Sequence, residues 1–334
     1  MNSALKACLI TGPEGCRPAD KCPIPRRHFL ALTALAAAAC SLPRRLFAAP
    51  AESAVNSFRT AAATAKITTH KLRGNVSTLE GSGGNIAVLT GSDGKLLVDA
   101  GITASRPALS EALARISSDP VRHLINTHWH FDHTDGNEWL HSIGAEITAH
   151  ENTRKHLSET TRVDAWNFTF PPSPEGALPT RLFKKEQKLH INETSLVLEY
   201  YGPAHTDSDI SVYFTDTDIL HVGDTCWNGY YPFIDYSTGG SINASIRAAE
   251  ANIARVTDKT IVIPGHWPIA TKSNLIEFRD MLVAIREKVS ALKKQGQSLA
   301  EVVAAKPTAE YDAAKWGSFF IDGNTFTSLV YAGL

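Results

Sequence analysis

The chain has 334 residues, 43% of them hydrophobic, with 33 basic against 34 acidic side chains. That length can bury a sizeable core in one large domain or two small ones. A formal net charge of -1 supplies no overall field that would gather nucleic acid or an anionic membrane, so neither is expected as a partner.

Residues 23–40, PIPRRHFLALTALAAAAC, set Arg26 and Arg27 before an alanine-rich apolar run too short to span a bilayer as a mature helix. The segment resembles a twin-arginine export signal, and small residues around Ala49 and Ala51 suit cleavage nearby. A periplasmic or secreted protein is expected from it. One alternative is a buried N-terminal helix, which lacks the polar face it would need. Another is a lipoprotein signal ending at Cys40, against which Ala37 stands where leucine is usual. Residues 1–49 carry seven basic and two acidic side chains, so the mature chain would hold 26 and 32. Cys8, Cys16, Cys22 and Cys40 fall in this leader, which leaves Cys226 alone and excludes an intrachain disulfide from the mature chain. Residues 50–65 read as a flexible linker.

Strands and helices then alternate. GNIAVLTGSDGKLLVDAG reads as two short strands joined through Ser92, Asp93 and Gly94. PALSEALARISS follows as a helix with Pro107 near its start, and VRHLINT as a buried strand that leads into NTHWHFDHTDGN. Beyond this come a short helix over DGNEWLHSIG, a strand over AEITAH and a helical turn or two over TRKHLSE. The stretch WNFTFPPSPEG, from Trp166, reads as a proline-rich flap. SLVLEYYG, ISVYFTD and DILHVGD are further strands. SINASIRAAEANIARV is a helix feeding the strand TIVIPGH, and NLIEFRDMLVAIREKVSALKKQG is a long amphipathic helix stopped by Gly296. Interleaving of this kind predicts an α/β layered domain. No hydrophobic stretch of the mature chain is long enough to span a membrane.

Three histidines and an aspartate, His128, His130, Asp132 and His133, fall within six residues at one strand end. His205 in GPAHT, Asp224 in VGDT and His266 in IPGH stand just after other strand-like runs. Four strand ends thus deliver seven metal-ligating side chains. A zinc ion takes about four nitrogen, oxygen or thiolate ligands, fewer from protein when it does chemistry, so seven with one shared suit two ions. Side chains two apart on an extended segment point the same way, which lets His128 and His130 share one ion.

THWHFDH, GPAHT, VGDT and IPGH, in that order, resemble the metal-binding motifs of the metallo-β-lactamase superfamily over residues 66–270 or so. The resemblance implies an αβ/βα four-layer sandwich of two mixed β-sheets flanked by helices, with residues 66–273 as the catalytic domain. Residues 274–334 would be a helical extension packed on it. It also implies that His128, His130 and His205 bind a first metal, that Asp132, His133 and His266 bind a second, and that Asp224 bridges them. The cofactor expected is two Zn2+, with iron or manganese as alternatives. Such a pair holds a hydroxide and polarises a substrate oxygen, so hydrolysis of an ester, lactone or related acyl bond is expected, with Asp132 and Asp224 as catalytic groups. Two other readings stand beside it: a mononuclear iron sulfur dioxygenase, and a non-catalytic periplasmic metal-binding protein.

The aromatic residues nearest these motifs, Trp129, Phe131, Trp227, Tyr230 and Tyr231, are expected to line the substrate pocket, with Tyr230 or Tyr231 a candidate oxyanion donor. A small apolar or cyclic molecule is the substrate such a wall suits. The sequence does not decide the oligomeric state.

Overall fold

Apolar residues alternate sides along the strands of two open sheets, and this alternation builds the layers. The protein is described by a computed structural model over residues 53–314 and 316–334. The export leader expected over residues 1–49 lies outside the described residues. In spatial order the first sheet is β1 (Thr68–Lys71), β2 (Val76–Glu80), β3 (Ile86–Leu89), β4 (Lys95–Val98), β5 (Val121–Ile125), β6 (Glu146–His150) and β9 (Arg181–Phe183). The second is β10 (Glu186–Ile191), β11 (Thr194–Glu199), β12 (Ser211–Phe214), β13 (Ile219–Trp227) and β14 (Ile261–His266). A small hairpin, β7 (Thr161–Val163) and β8 (Phe168–Phe170), stands apart from both.

Alternate residues of β3 and β4, Ala87 and Leu89, Leu96 and Val98, face the second sheet, where Leu196, Leu198, Val212, Phe214 and Ile263 meet them in a core between the sheets. Ile86, Val88 and Leu97, on the opposite face, pack under the helices Arg106–Ile116 and Asn137–Ser142 through Leu109, Leu113 and Leu140. On the far side of the second sheet, Leu220, Val222 and Val262 carry the helices Ile242–Arg255 and Lys272–Lys294. Helix, sheet, sheet and helix are the four layers of the αβ/βα sandwich.

Both sheets are mixed, and their parallel portions matter most for the site. β4, β5 and β6 run parallel, as do β13 and β14. Parallel neighbours need a crossover, and the helices Arg106–Ile116 and Ile242–Arg255 supply it for β4–β5 and β13–β14. The loops at the carboxyl ends of these strands therefore gather on one edge of the sandwich.

The ends of the described chain close the molecule over that edge. Residues 50–65, expected as a linker, instead contain the helix Ala54–Ala62, capped by Ser53 and tied down by the buried side chains of Val55 and Ala62. The Arg59–Asp135 ion pair, at 2.9 Å, fixes its flank. At the other end, the helix Gly323–Ala332 buries Phe326 and Val330, and Phe326 stacks on Tyr231 with ring centroids 4.9 Å apart. None of the described helices is long and apolar enough to cross a membrane.

Phe326 is fully buried, so Phe326→Ala is expected to lower the unfolding free energy by about 3–5 kcal/mol, the usual range for truncating a core aromatic. Urea unfolding followed by circular dichroism checks this, and a loss under 1 kcal/mol would show that the C-terminal helix does not belong to the core.

Candidate metal centre

His128, His130, Asp132 and His133 follow β5, where the backbone bends over residues 127–129 and then enters a one-turn helix, Phe131–Thr134. His205 follows β11, Asp224 lies within β13, and His266 ends β14. The fold brings all seven together. His128, His130, His205 and Asp224 form one group and Asp132, His133 and His266 a second, the candidate ligand atoms within each group lying within 4.8 Å of one another. Asp224 reaches both: its Oδ1 is 3.1 Å from His133 Nε2, and its Oδ2 is 3.4 Å from His205 Nε2 and 3.5 Å from His266 Nε2. Asp132 Oδ2 lies 3.2 Å from His266 Nε2.

Hydrogen bonds at the far ring nitrogens fix which atom each imidazole offers. His205 donates from Nδ1 to the carbonyl of Phe233 at 2.7 Å, and His130 from Nε2 to Asp235 Oδ2 at 3.1 Å. His133 donates from Nδ1 to Asp99 Oδ2 at 2.7 Å. Thr127 gives its one hydroxyl proton to the same carboxylate at 2.8 Å, so its oxygen is left to accept from His128 Nδ1 at 3.1 Å. His128 Nε2, His133 Nε2, His205 Nε2 and His130 Nδ1 therefore turn lone pairs inward.

That arrangement fits metal ions and fits little else. His128 Nε2, His133 Nε2, His266 Nε2 and Asp224 Oδ1 are buried without a hydrogen-bond partner, and each such atom costs roughly 1–3 kcal/mol if nothing satisfies it. His130 Nδ1 and His205 Nε2 stand 2.8 Å apart; as two bare lone pairs they repel, and a shared cation relieves them. Burial, helped by the neighbouring His133, holds His128 well below the ordinary histidine range, which keeps it neutral as a ligand must be. Burial alone would raise Asp224, but His133 and His266 outweigh it and hold the carboxyl well below its usual range. At His266 burial is likewise overcome, by Asp224 and Asp132, and the ring is pushed up to about 9. The excess negative charge that does this is also what draws a cation.

Three glycines keep side chains out of this packing. A Cβ at Gly84 would collide with the His133 ring, one at Gly265 with Asp224 Oδ1, and one at Gly223, where φ is +51°, would press on Thr127.

The centre opens into a cavity of about 530 Å3. Phe131 and Trp227 line it, joined by Trp166, Phe233 and Trp267. Trp129, Tyr230 and Tyr231 are corrections. Trp129 is turned behind the histidines, its indole N–H donating to Thr238 Oγ1 at 3.2 Å while the ring packs edge-on against Phe170. Tyr231 is core, its hydroxyl donating to Asp312 Oδ1 at 2.9 Å, which removes it as an oxyanion donor. Tyr230 stacks on Trp267 at 4.1 Å and does not line the cavity. The residues that orient the ligands, Asp99 and Asp235, escaped the sequence reading. Asp99 carried a usable signal: like the ligands, it follows a strand, in VDAG.

A family model described as the metallo-β-lactamase superfamily matches residues 79–266, more than half of the chain. Among curated proteins, a hydroxyacylglutathione hydrolase from Polaromonas sp. is 28% identical over 46% of this chain and 52% of its own length. Another from Rhodospirillum rubrum is 27% identical over 57% of this chain and 68% of its own length. The alpha subunit of a 2,4-dinitroanisole O-demethylase from Nocardioides sp. is 30% identical over 33% of this chain and 30% of its own length. The chain thus spans about half the length of the Polaromonas protein and under a third of the demethylase subunit. Among solved structures, a stereoselective inverting sec-alkylsulfatase from Pseudomonas sp. aligns with a TM-score of 0.60 at 17% identity, over 83% of this chain and 52% of that one. A metallo-β-lactamase from Pontibacter korlensis aligns with a TM-score of 0.52 at 18% identity, over 65% of this chain and 99% of that one. At these identities the structures share the fold.

Asp99→Asn would set an amide N–H2 either against the Thr127 backbone N–H or against both the His133 N–H and the Thr127 hydroxyl. It is expected to weaken metal binding in both groups by about 10–100-fold, whereas Asp235→Asn acts on the first group alone. Chelator competition on each variant, with circular dichroism as the folding control, checks this; equal effects from the two substitutions would refute the assignment.

Proposed function

The chain belongs to the metallo-β-lactamase superfamily, and from that premise we propose that it is an exported, dinuclear zinc hydrolase acting on an ester, lactone or related acyl bond. The observation that carries this reading is the pair of ligand groups sharing Asp224 at the floor of a largely apolar cavity. Five histidines and two aspartates are a nitrogen and oxygen set that suits zinc. Two such ions supply a nucleophilic water at neutral pH and a Lewis-acid contact for the substrate oxygen.

The protein's own side chains do the remainder. His128, His130 and His205 would hold one ion, and Asp132, His133 and His266 the other. Asp224, whose two oxygens face ligands of both groups, would span both. Asp132 has the most exposed side chain of the seven ligands, at 17%, and lines the cavity. Its Oδ2 is the atom placed to hold a proton on its way to the leaving group. Hydrolysis is also what two relatives, the hydroxyacylglutathione hydrolases, are named for. Among its described lining residues this cavity has one lysine, Lys66, and no arginine, so an uncharged substrate suits it better than a glutathione conjugate. Export rests on Arg26 and Arg27 in the leader motif.

A single iron held by two histidines and an aspartate would leave the second group unused. The complete set Asp132, His133 and His266 therefore favours two ions. The deciding experiment is elemental analysis of protein purified without added metal, coupled to a panel of lactone, ester, thioester and β-lactam substrates. About two zinc ions per chain are expected, with turnover lost on chelation, restored by zinc and abolished in Asp224→Asn. One iron per chain with oxygen uptake on a persulfide would overturn the proposal.

A further inference from the structure

The described ends of the chain meet over the metal centre. The cavity is lined on one side by the helix Ala54–Ala62, through Phe58, Ala61 and Ala62, and on another by Phe319 and Phe320. Residues more than 250 positions apart thus complete one wall: Phe58 packs edge-on against Phe320 with centroids 5.1 Å apart and lies 6.3 Å from Phe319. The wall is continuous with the metal site. Phe319 meets Trp267 at 4.5 Å, and Trp267 lies 5.2 Å from His266 and 5.3 Å from Trp227. Across the cavity, His130 lies 4.9 Å from Trp166, itself stacked on Phe233 at 4.8 Å.

Trp267 is held in place at a cost. Its φ is +67°, a conformation that bulky side chains rarely adopt and that costs about 1–3 kcal/mol. Asn85 clamps the turn, donating from Nδ2 to the carbonyls of Trp267 at 2.7 Å and Pro264 at 3.0 Å. The clamped indole is the link between the metal ligand His266 and the outer rings. Phe319, 48% exposed, stands where a hydrocarbon would cover it.

We infer that this passage is a binding channel for a hydrocarbon arm, and that the substrate is an ester-type molecule whose uncharged alkyl arm runs from the metal centre between the 54–62 helix and the Phe319–Phe320 turn. This rests on the hydrolase reading for the word ester; the channel itself does not. Burying a methylene contributes about 0.8 kcal/mol, so affinity climbs with arm length until the channel is filled.

The test is calorimetric binding of straight-chain carboxylates, from butanoate to decanoate, to the zinc-loaded protein, beside hydrolysis of the matching p-nitrophenyl esters. The association constant is expected to rise roughly two- to fourfold per methylene. Ala61→Trp, on an exposed helix position, should halt the rise at a shorter chain, and Phe319→Ala should flatten it. Both positions lie outside the core, so folding survives in each variant. Affinity independent of chain length, or a slope that neither substitution changes, would overturn the channel. A length-dependent affinity without turnover of any ester would keep the channel and defeat the hydrolase reading instead.

Discussion

The Asp99 carboxylate is the constraint on which the centre turns. One oxygen accepts the backbone N–H of Thr127 at 2.7 Å; the other accepts the Thr127 hydroxyl and the His133 ring N–H. Through Thr127 it sets the tautomer of His128, and directly it sets that of His133, so one buried side chain orients a ligand in each metal group. Its own backbone sits at φ +69°, which aspartate tolerates better than most residues. Without it, two imidazoles would be free to turn their N–H groups inward, and the converging lone pairs that make the site a metal centre would be lost.

The sandwich serves the same end at a larger scale. β4 and β5 of one sheet lead into the loops that carry Asp99 and His128, while β13 and β14 of the other carry Asp224 and His266. Ligands drawn from both sheets mean that bound metal would tie the layers together across the edge where their shared core stops. The constraint runs backwards too: Gly223 and Gly265 are needed because parallel β13 and β14 approach Thr127 and each other closely just where Asp224 must point inward. Register shifts between His221 and Gly223 and between Gly223 and Trp227 show the ladder yielding to that demand.

Much of this was legible in the sequence because ligands and strands obey short-range rules. The continuous apolar runs of β3, β4 and β14, buried on both faces, follow from local pattern, as does the place of the ligands in or after such runs. Trp129 shows a rule half applied. Residues two apart on an extended segment share a side and the one between them faces the other way; although the backbone bends over residues 127–129, His128 and His130 meet and Trp129 packs behind, on Phe170 and Thr238. Tyr231 was misplaced for a different reason. Nearness in sequence to Asp224 says nothing of direction, and its partners Asp312 and Phe326 lie some 80 to 95 residues further on. The helix Ala54–Ala62 is hard to tell from a linker in the sequence because its apolar content is mostly alanine.

The cavity was the least legible part, because its outer wall is assembled from the two described ends. Phe58, Phe319 and Phe320 carry no motif, and each is an ordinary aromatic until the fold brings them together. A floor specified by local motifs and a wall specified by tertiary packing are separable in principle: the floor must keep its seven candidate ligands, whereas the wall needs only apolar surface of the right shape. Trp267 joins the two. It follows His266 directly, so any backbone change that relaxed its left-handed φ would also turn a metal ligand, and the Asn85 clamp holds both at once. The shape of the cavity and the geometry of the centre are therefore coupled at one turn, and changes in the wall will leave the chemistry intact only where they lie beyond it.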